Sequence, residues 1–126
     1  MIDLLTTSGI RVGEALSLFV ADLHFGGGSQ QLRCRQAVAF PCPRGHPVEN
    51  SARAKGRPRT LFVHRDVVES YIDCSLERRK ILEAQGVCDA SPHLFVNLYS
   101  EDRWLGRAMT SSSVKRLLNR CSKRIG

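Results

Sequence analysis

Nowhere in its 126 residues does this chain run through the roughly 18 consecutive apolar residues that a membrane-spanning helix needs. The first apolar run is short and carries Asp3, which reads against a secretory signal. A long basic amphipathic helix with aromatic anchors is also missing, so no membrane partner is expected. The five cysteines, Cys34, Cys42, Cys74, Cys88 and Cys121, are an odd and scattered set. They suit free thiols in a reducing cytosol better than a disulfide framework. Metal-ligand spacing is nearly absent. Cys42 and His46 could supply half a zinc site and Cys34 a third ligand, but no second tight Cys/His pair offers a fourth. Neither a metal nor a cofactor is expected, and a small zinc-dependent binding protein is the weakest of the readings kept open. The chain has no internal repeat and no long low-complexity tract.

Acidic residues are in short supply as well. Twelve Asp and Glu face nineteen Lys and Arg, a formal charge of +7, which favours an anionic partner with nucleic acid first among the candidates. From Arg33 to Arg65 lie Arg33, Arg35, Arg44, Arg53, Lys55, Arg57, Arg59 and Arg65, opposed only by Glu49. From Glu101 onward come Arg103, Arg107, Lys115, Arg116, Arg120, Lys123 and Arg124, against Glu101 and Asp102. Two such segments could track a phosphate backbone, or be two solvated faces. Apolar content of 42% and charged content of 25% are ordinary for a globular chain. The length suits one domain that buries roughly two thirds of its unfolded surface.

Met1 to Ser8 reads as the last turns of a helix stopped by Gly9. A domain seldom starts mid-helix, so a preceding segment is expected. Arg11 to Leu18 reads as a short second helix with Val12, Ala15, Leu16 and Phe19 inward. Gly26-Gly27-Gly28-Ser29 reads as a flexible connection. Strands are expected over Leu32–Phe40, where Leu32 and Cys34 alternate with Arg33 and Arg35, over Val48–Ala54, and over Thr60–Val63. A proline-rich loop at residues 41–47 separates the first two. Helical periodicity returns from Asp66 to about Glu83, with Val67, Val68, Tyr71, Ile72, Leu76, Ile81 and Leu82 apolar. After an extended piece at Leu94-Phe95-Val96, Thr110 caps a last helix whose Val114, Leu117, Leu118 and Cys121 share one side. The expected class is α+β, a mainly helical domain with a small three-stranded antiparallel sheet.

Chemistry concentrates in Thr7 to Leu18, which reads Thr-Ser-Gly-Ile-Arg-Val-Gly-Glu-Ala-Leu-Ser-Leu. A glycine breaks one helix, Arg11 opens the next, and Glu14 follows one turn later. An arginine beside a glycine that lets another group approach is well placed to hold a phosphate. Alone, it would more often be a surface or ion-paired residue. The stretch resembles the first signature box of the tyrosine recombinase (phage integrase) family. Ala54-Lys55-Gly56-Arg57-Pro58-Arg59-Thr60-Leu61-Phe62-Val63 resembles the family's β-hairpin. The residues Leu94 to Asn97 and Met109 to Leu118 resemble the segment and helix ahead of its second box, and order and spacing agree over nearly the whole chain.

The resemblance implies a truncated tyrosine-recombinase catalytic fold over residues 1–126, and double-stranded DNA as partner. It makes Arg11 one of two arginines that clamp the scissile phosphate while a tyrosine attacks it. It makes Lys55 the hairpin lysine that protonates the leaving oxygen, with Arg57 a rival on the same turn. Glu14 would orient Arg11 through a salt bridge or cap nearby backbone. Arg35, Arg53, Arg57, Arg59, Lys115 and Arg116 would touch DNA. The family's second box, His-x-x-Arg, and its nucleophilic tyrosine are not found, and are expected past Gly126. Tyr71 and Tyr99 fall in the wrong places and read as packing or surface residues. His64 and His93 lack the following arginine, and His24 and His46 read as loop residues. The resemblance thus implies the DNA-binding portion of a site-specific recombinase, inactive as the isolated chain. A bacterial or phage origin and a nucleoid-associated place in the cytoplasm go with it. The alternative is a non-catalytic DNA-binding or interaction module of the same fold. Self-association through apolar surface that further helices would cover stays open, and the target sequence is not legible.

Overall fold

A computed structural model of the chain describes residues 1–26, 29–34, 58–99 and 102–125. Helix α1, Ile2–Ser8, ends on Gly9, whose φ of 65° is left-handed backbone that glycine adopts without a Cβ penalty. Helix α2 spans Val12–Leu16. Its start differs from the sequence reading. Arg11 is not the first helical residue but the extended residue just outside it, at φ −78° and ψ 151°. Ala15, Leu16 and Leu18 are buried, while Val12 and Phe19 are half-buried. A single 3-10 turn, Val20–Asp22, follows, held by the buried Asp22 carboxylate accepting from the Phe19 N–H at 2.9 Å.

The expected three-stranded antiparallel sheet is present, but its strands are not all the expected ones. Strands β1 (Leu23–Gly26), β2 (Ser29–Cys34) and β3 (Arg59–Phe62) lie side by side in that order. The ends of the glycine run belong to strands. Gly26 faces Ser29 and Leu23 faces Leu32, so β1 and β2 pair antiparallel. His24 accordingly sits on a strand rather than in a loop. The expected strand over residues 48–54, and residues 35–40 of the first, lie outside the described residues. The alternation in β2 holds, with Leu32 and Cys34 buried and Arg33 exposed. Cys34 faces Arg59 and Leu32 faces Leu61 across the second pairing.

Helix α3, Arg65–Ala84, is capped by the His64 ring, whose Nδ1 accepts from the Asp66 N–H at 3.3 Å. Its apolar stripe is only partly covered. Val67 and Leu82 are buried, Val68, Tyr71 and Ile81 are half-buried, and Ile72 and Leu76 are exposed. The covered part closes on α1, where the Ser70 hydroxyl donates to the Asp3 carboxylate at 2.7 Å. The core gathers Leu4, Ile10, Ala15, Leu18, Leu32, Cys34, Val63 and Val67 between these elements. Beside it opens an apolar cleft of about 770 Å³ walled by Leu4, Phe25, Tyr71, Leu82, Leu94 and Phe95 among others. Tyr71 packs edge-on against Phe25 with centroids 5.7 Å apart, which fits the packing role read from sequence.

After α3 the chain returns across the core. The Leu94 N–H donates to Leu18 O and the Val20 N–H to Pro92 O, stitching residues 92–94 to 18–20. Arg78 reaches from α3 to hold this turn. Its guanidinium grips the Asp89 carboxylate with two bonds and donates to the carbonyls of Ser91 at 2.8 Å and His93 at 2.7 Å. Helix α4, Ser111–Ile125, begins as expected, the Thr110 hydroxyl accepting from the Ser113 N–H at 3.2 Å. It touches α2 and buries Val114, while Leu117, Leu118 and Cys121 of the same stripe are exposed. Among the described residues no helix is long and apolar enough to cross a membrane.

Candidate nucleic-acid interface

The sequence places its functional weight on Arg11, and the structure makes Glu14 the residue that positions it. Glu14 is a carboxylate with only 5% of its surface exposed, a costly burial unless its oxygens are satisfied. Its Oε2 accepts from the Arg11 backbone N–H at 3.0 Å, which pins the residue at the mouth of α2. The same oxygen accepts from an Arg59 Nη at 3.2 Å. Of the two roles read from sequence for Glu14, a salt bridge to Arg11 or a cap on nearby backbone, the structure shows the cap, and the ion pair goes to Arg59. Arg11 is left as an exposed residue at the head of the helix. With five residues, α2 carries too little dipole to attract an anion itself, so any phosphate affinity here belongs to the guanidinium.

Arg59 arrives because β3 starts there, opposite Cys34. Burial pushes the Cys34 thiol above its ordinary range, Glu14 and Asp22 push the same way, and the Arg59 guanidinium opposes them. Cys34 is thus a small apolar core residue rather than a nucleophile. Cys74, Cys88 and Cys121 are exposed and, like Cys34, unlinked.

The structure brings together Arg11, Glu14 and Arg59 of the sequence-read site. Lys115 and Arg116 sit exposed on the first turns of α4, the helix that touches α2. Lys55, Arg35, Arg53 and Arg57 lie outside the described residues, as do Cys42 and His46. Among the described residues no cluster of His, Cys, Asp or Glu is arranged to hold a metal. His93 is buried, with its Nδ1–H donating to Leu16 O at 3.1 Å and its ring edge-on to Phe19, a packing role. Reasoning from sequence missed the Glu14–Arg59 pair because the residues are far apart in the chain, and only strand register joins them.

Replacing Glu14 by Ala is expected to lower stability by about 2 kcal/mol, combining the lost cap with a half-exposed ion pair of modest worth. Urea unfolding followed by circular dichroism measures this. A change within a few tenths of a kcal/mol would mean the carboxylate does not organise the helix start.

These elements define an α+β domain with four described helices and a three-stranded antiparallel sheet. Compared with known proteins, the chain matches no family model, no curated protein and no solved structure.

Proposed function

We propose that this chain is the DNA-binding part of a tyrosine recombinase catalytic domain, able to hold duplex DNA but not to cut it alone. The carrying observation is the exposed Arg11, held at the start of α2 by a buried carboxylate that also engages Arg59. A guanidinium presented from a backbone held by such a bond suits a fixed phosphate, because a planar fork binds two non-bridging oxygens only when it is aimed. The net charge of +7 supplies the longer-range attraction. In this reading Arg11 is a clamp arginine and Lys55 the acid that protonates the leaving oxygen. The attacking tyrosine and the second clamp arginine are not supplied by these residues, so phosphoryl transfer stops at binding.

Fluorescence anisotropy with a labelled duplex of about 25 base pairs tests the binding. Micromolar affinity at low salt with little sequence preference is expected, and Arg11→Ala should weaken it about fivefold, one phosphate contact among several. Joined to a carboxyl-terminal part carrying the second box and tyrosine, the same variant should keep binding and lose cleavage. Absence of duplex binding at low salt would overturn the reading. So would an Arg11→Ala variant that binds and cuts like the parent.

A further inference from the structure

The only tryptophan of the chain and one of its two tyrosines stand on a single excursion outside the core. The excursion is closed at its base by antiparallel hydrogen bonds. The Asn97 N–H donates to Arg107 O at 2.9 Å and the Gly106 N–H to Asn97 O at 2.8 Å, next to the Val96–Ala108 bridge. The Asn97 side chain adds a third bond to Arg107 O at 3.2 Å. Gly106, at φ 75°, presses on Leu82, where an added Cβ would come within 3.3 Å of a Leu82 methyl. Val96, Leu105 and Ala108 are buried, so the base is anchored in the core. Above it, Tyr99 is 82% exposed and Trp104 is 42% exposed. The guanidinium carbons of Arg103 and Arg107 lie 5.3 and 5.8 Å from the Trp104 ring centroid, within cation–π reach.

Large aromatic rings normally recover their area in a core or an interface. Here the neighbouring Leu105 is buried while Trp104 is part-exposed from the same hydrogen-bonded base, with two guanidinium groups over its ring. We propose that this excursion is a stacking platform for an unpaired base of single-stranded DNA. A base has a π-face whatever its identity, and it stacks on indole and guanidinium planes alike. In a duplex those faces are hidden, so the platform selects unpaired strands. None of its residues belongs to the Arg11 site, and it does not depend on a recombinase assignment.

Trp104 is its own reporter. Titration with a thymidine oligonucleotide of about a dozen nucleotides should quench its emission saturably at low salt, whereas a duplex of equal length should quench little. An abasic oligonucleotide keeps the phosphates and removes the bases, and should also fail to quench. With a labelled oligonucleotide, Trp104→Ala should weaken binding about tenfold and Trp104→Phe should restore most of it. Arg65→Ala, on the exposed face of α3, should leave the quench unchanged. Equal quenching by the abasic strand or the duplex would overturn the proposal. So would oligonucleotide binding that Trp104→Ala does not alter, or no quench at all at low salt.

Discussion

Arg78→Ala is expected to lower the free energy of unfolding by about 3 kcal/mol. The Arg78 side chain is only 12% exposed, and it ties α3 to a turn that crosses the core. One guanidinium satisfies Asp89 twice and the carbonyls of Ser91 and His93, and Ser91 and His93 are themselves buried. Truncation strands these acceptors, and a buried acceptor without a donor costs about 1–3 kcal/mol. Arg65, paired with Glu69 on the exposed face of α3, is the control. Its truncation should cost no more than about 0.5 kcal/mol, the worth of a solvated i,i+4 pair. Arg78→Lys should rescue little, because an ammonium cannot fork toward a carboxylate and two carbonyls together. Urea midpoints measured for all three variants decide the point. An Arg78→Ala loss equal to that of Arg65→Ala would show that the turn is held by packing alone.

On the proposed DNA-binding reading, duplex affinity should fall roughly a hundredfold between 50 and 200 mM monovalent salt, if about four phosphates are neutralised. The expectation follows from the chemistry of the candidate interface, which offers guanidinium and ammonium groups and no described base-reading element. Each phosphate contact releases condensed counterions, and that entropy shrinks as bulk salt rises. Arg11→Ala should flatten the logarithmic slope by about one, the mark of a single lost contact. Quenching of Trp104 by single strands should fall much less over the same range, because its main contribution is stacking. A duplex affinity indifferent to salt would remove phosphate contact as the basis of binding.

Local signals carried much of the architecture. Gly9 as a stop, Thr110 as a cap, the long periodic α3 and the alternation around Leu32 all rest on neighbours in sequence, and the structure has them. Two things were not legible, each for a physical reason. The run from Gly26 to Ser29 has the composition of a linker, yet Gly26 and Ser29 are paired strand ends, and β1 is too short to announce itself by alternation. The apolar stripes of α3 and α4 were legible as stripes, but their cover was not. Periodicity shows that a helix has an apolar side but not whether anything packs there, and Leu76 and Leu117 are exposed. At the candidate site, Arg11 and Glu14 were legible because one helical turn separates them. Glu14 choosing Arg59 was not, since strand pairing brings that partner from across the sheet.

The facing of Cys34 and Arg59 has a consequence for tolerance to change. The two ends of the segment between them are therefore held side by side. A segment whose two ends are already neighbours can be lengthened at a closure cost that rises by only about 0.6 kcal/mol per doubling. Residues added between positions 34 and 59 should therefore carry little more than that closure cost, because Cys34 and Arg59 are already paired.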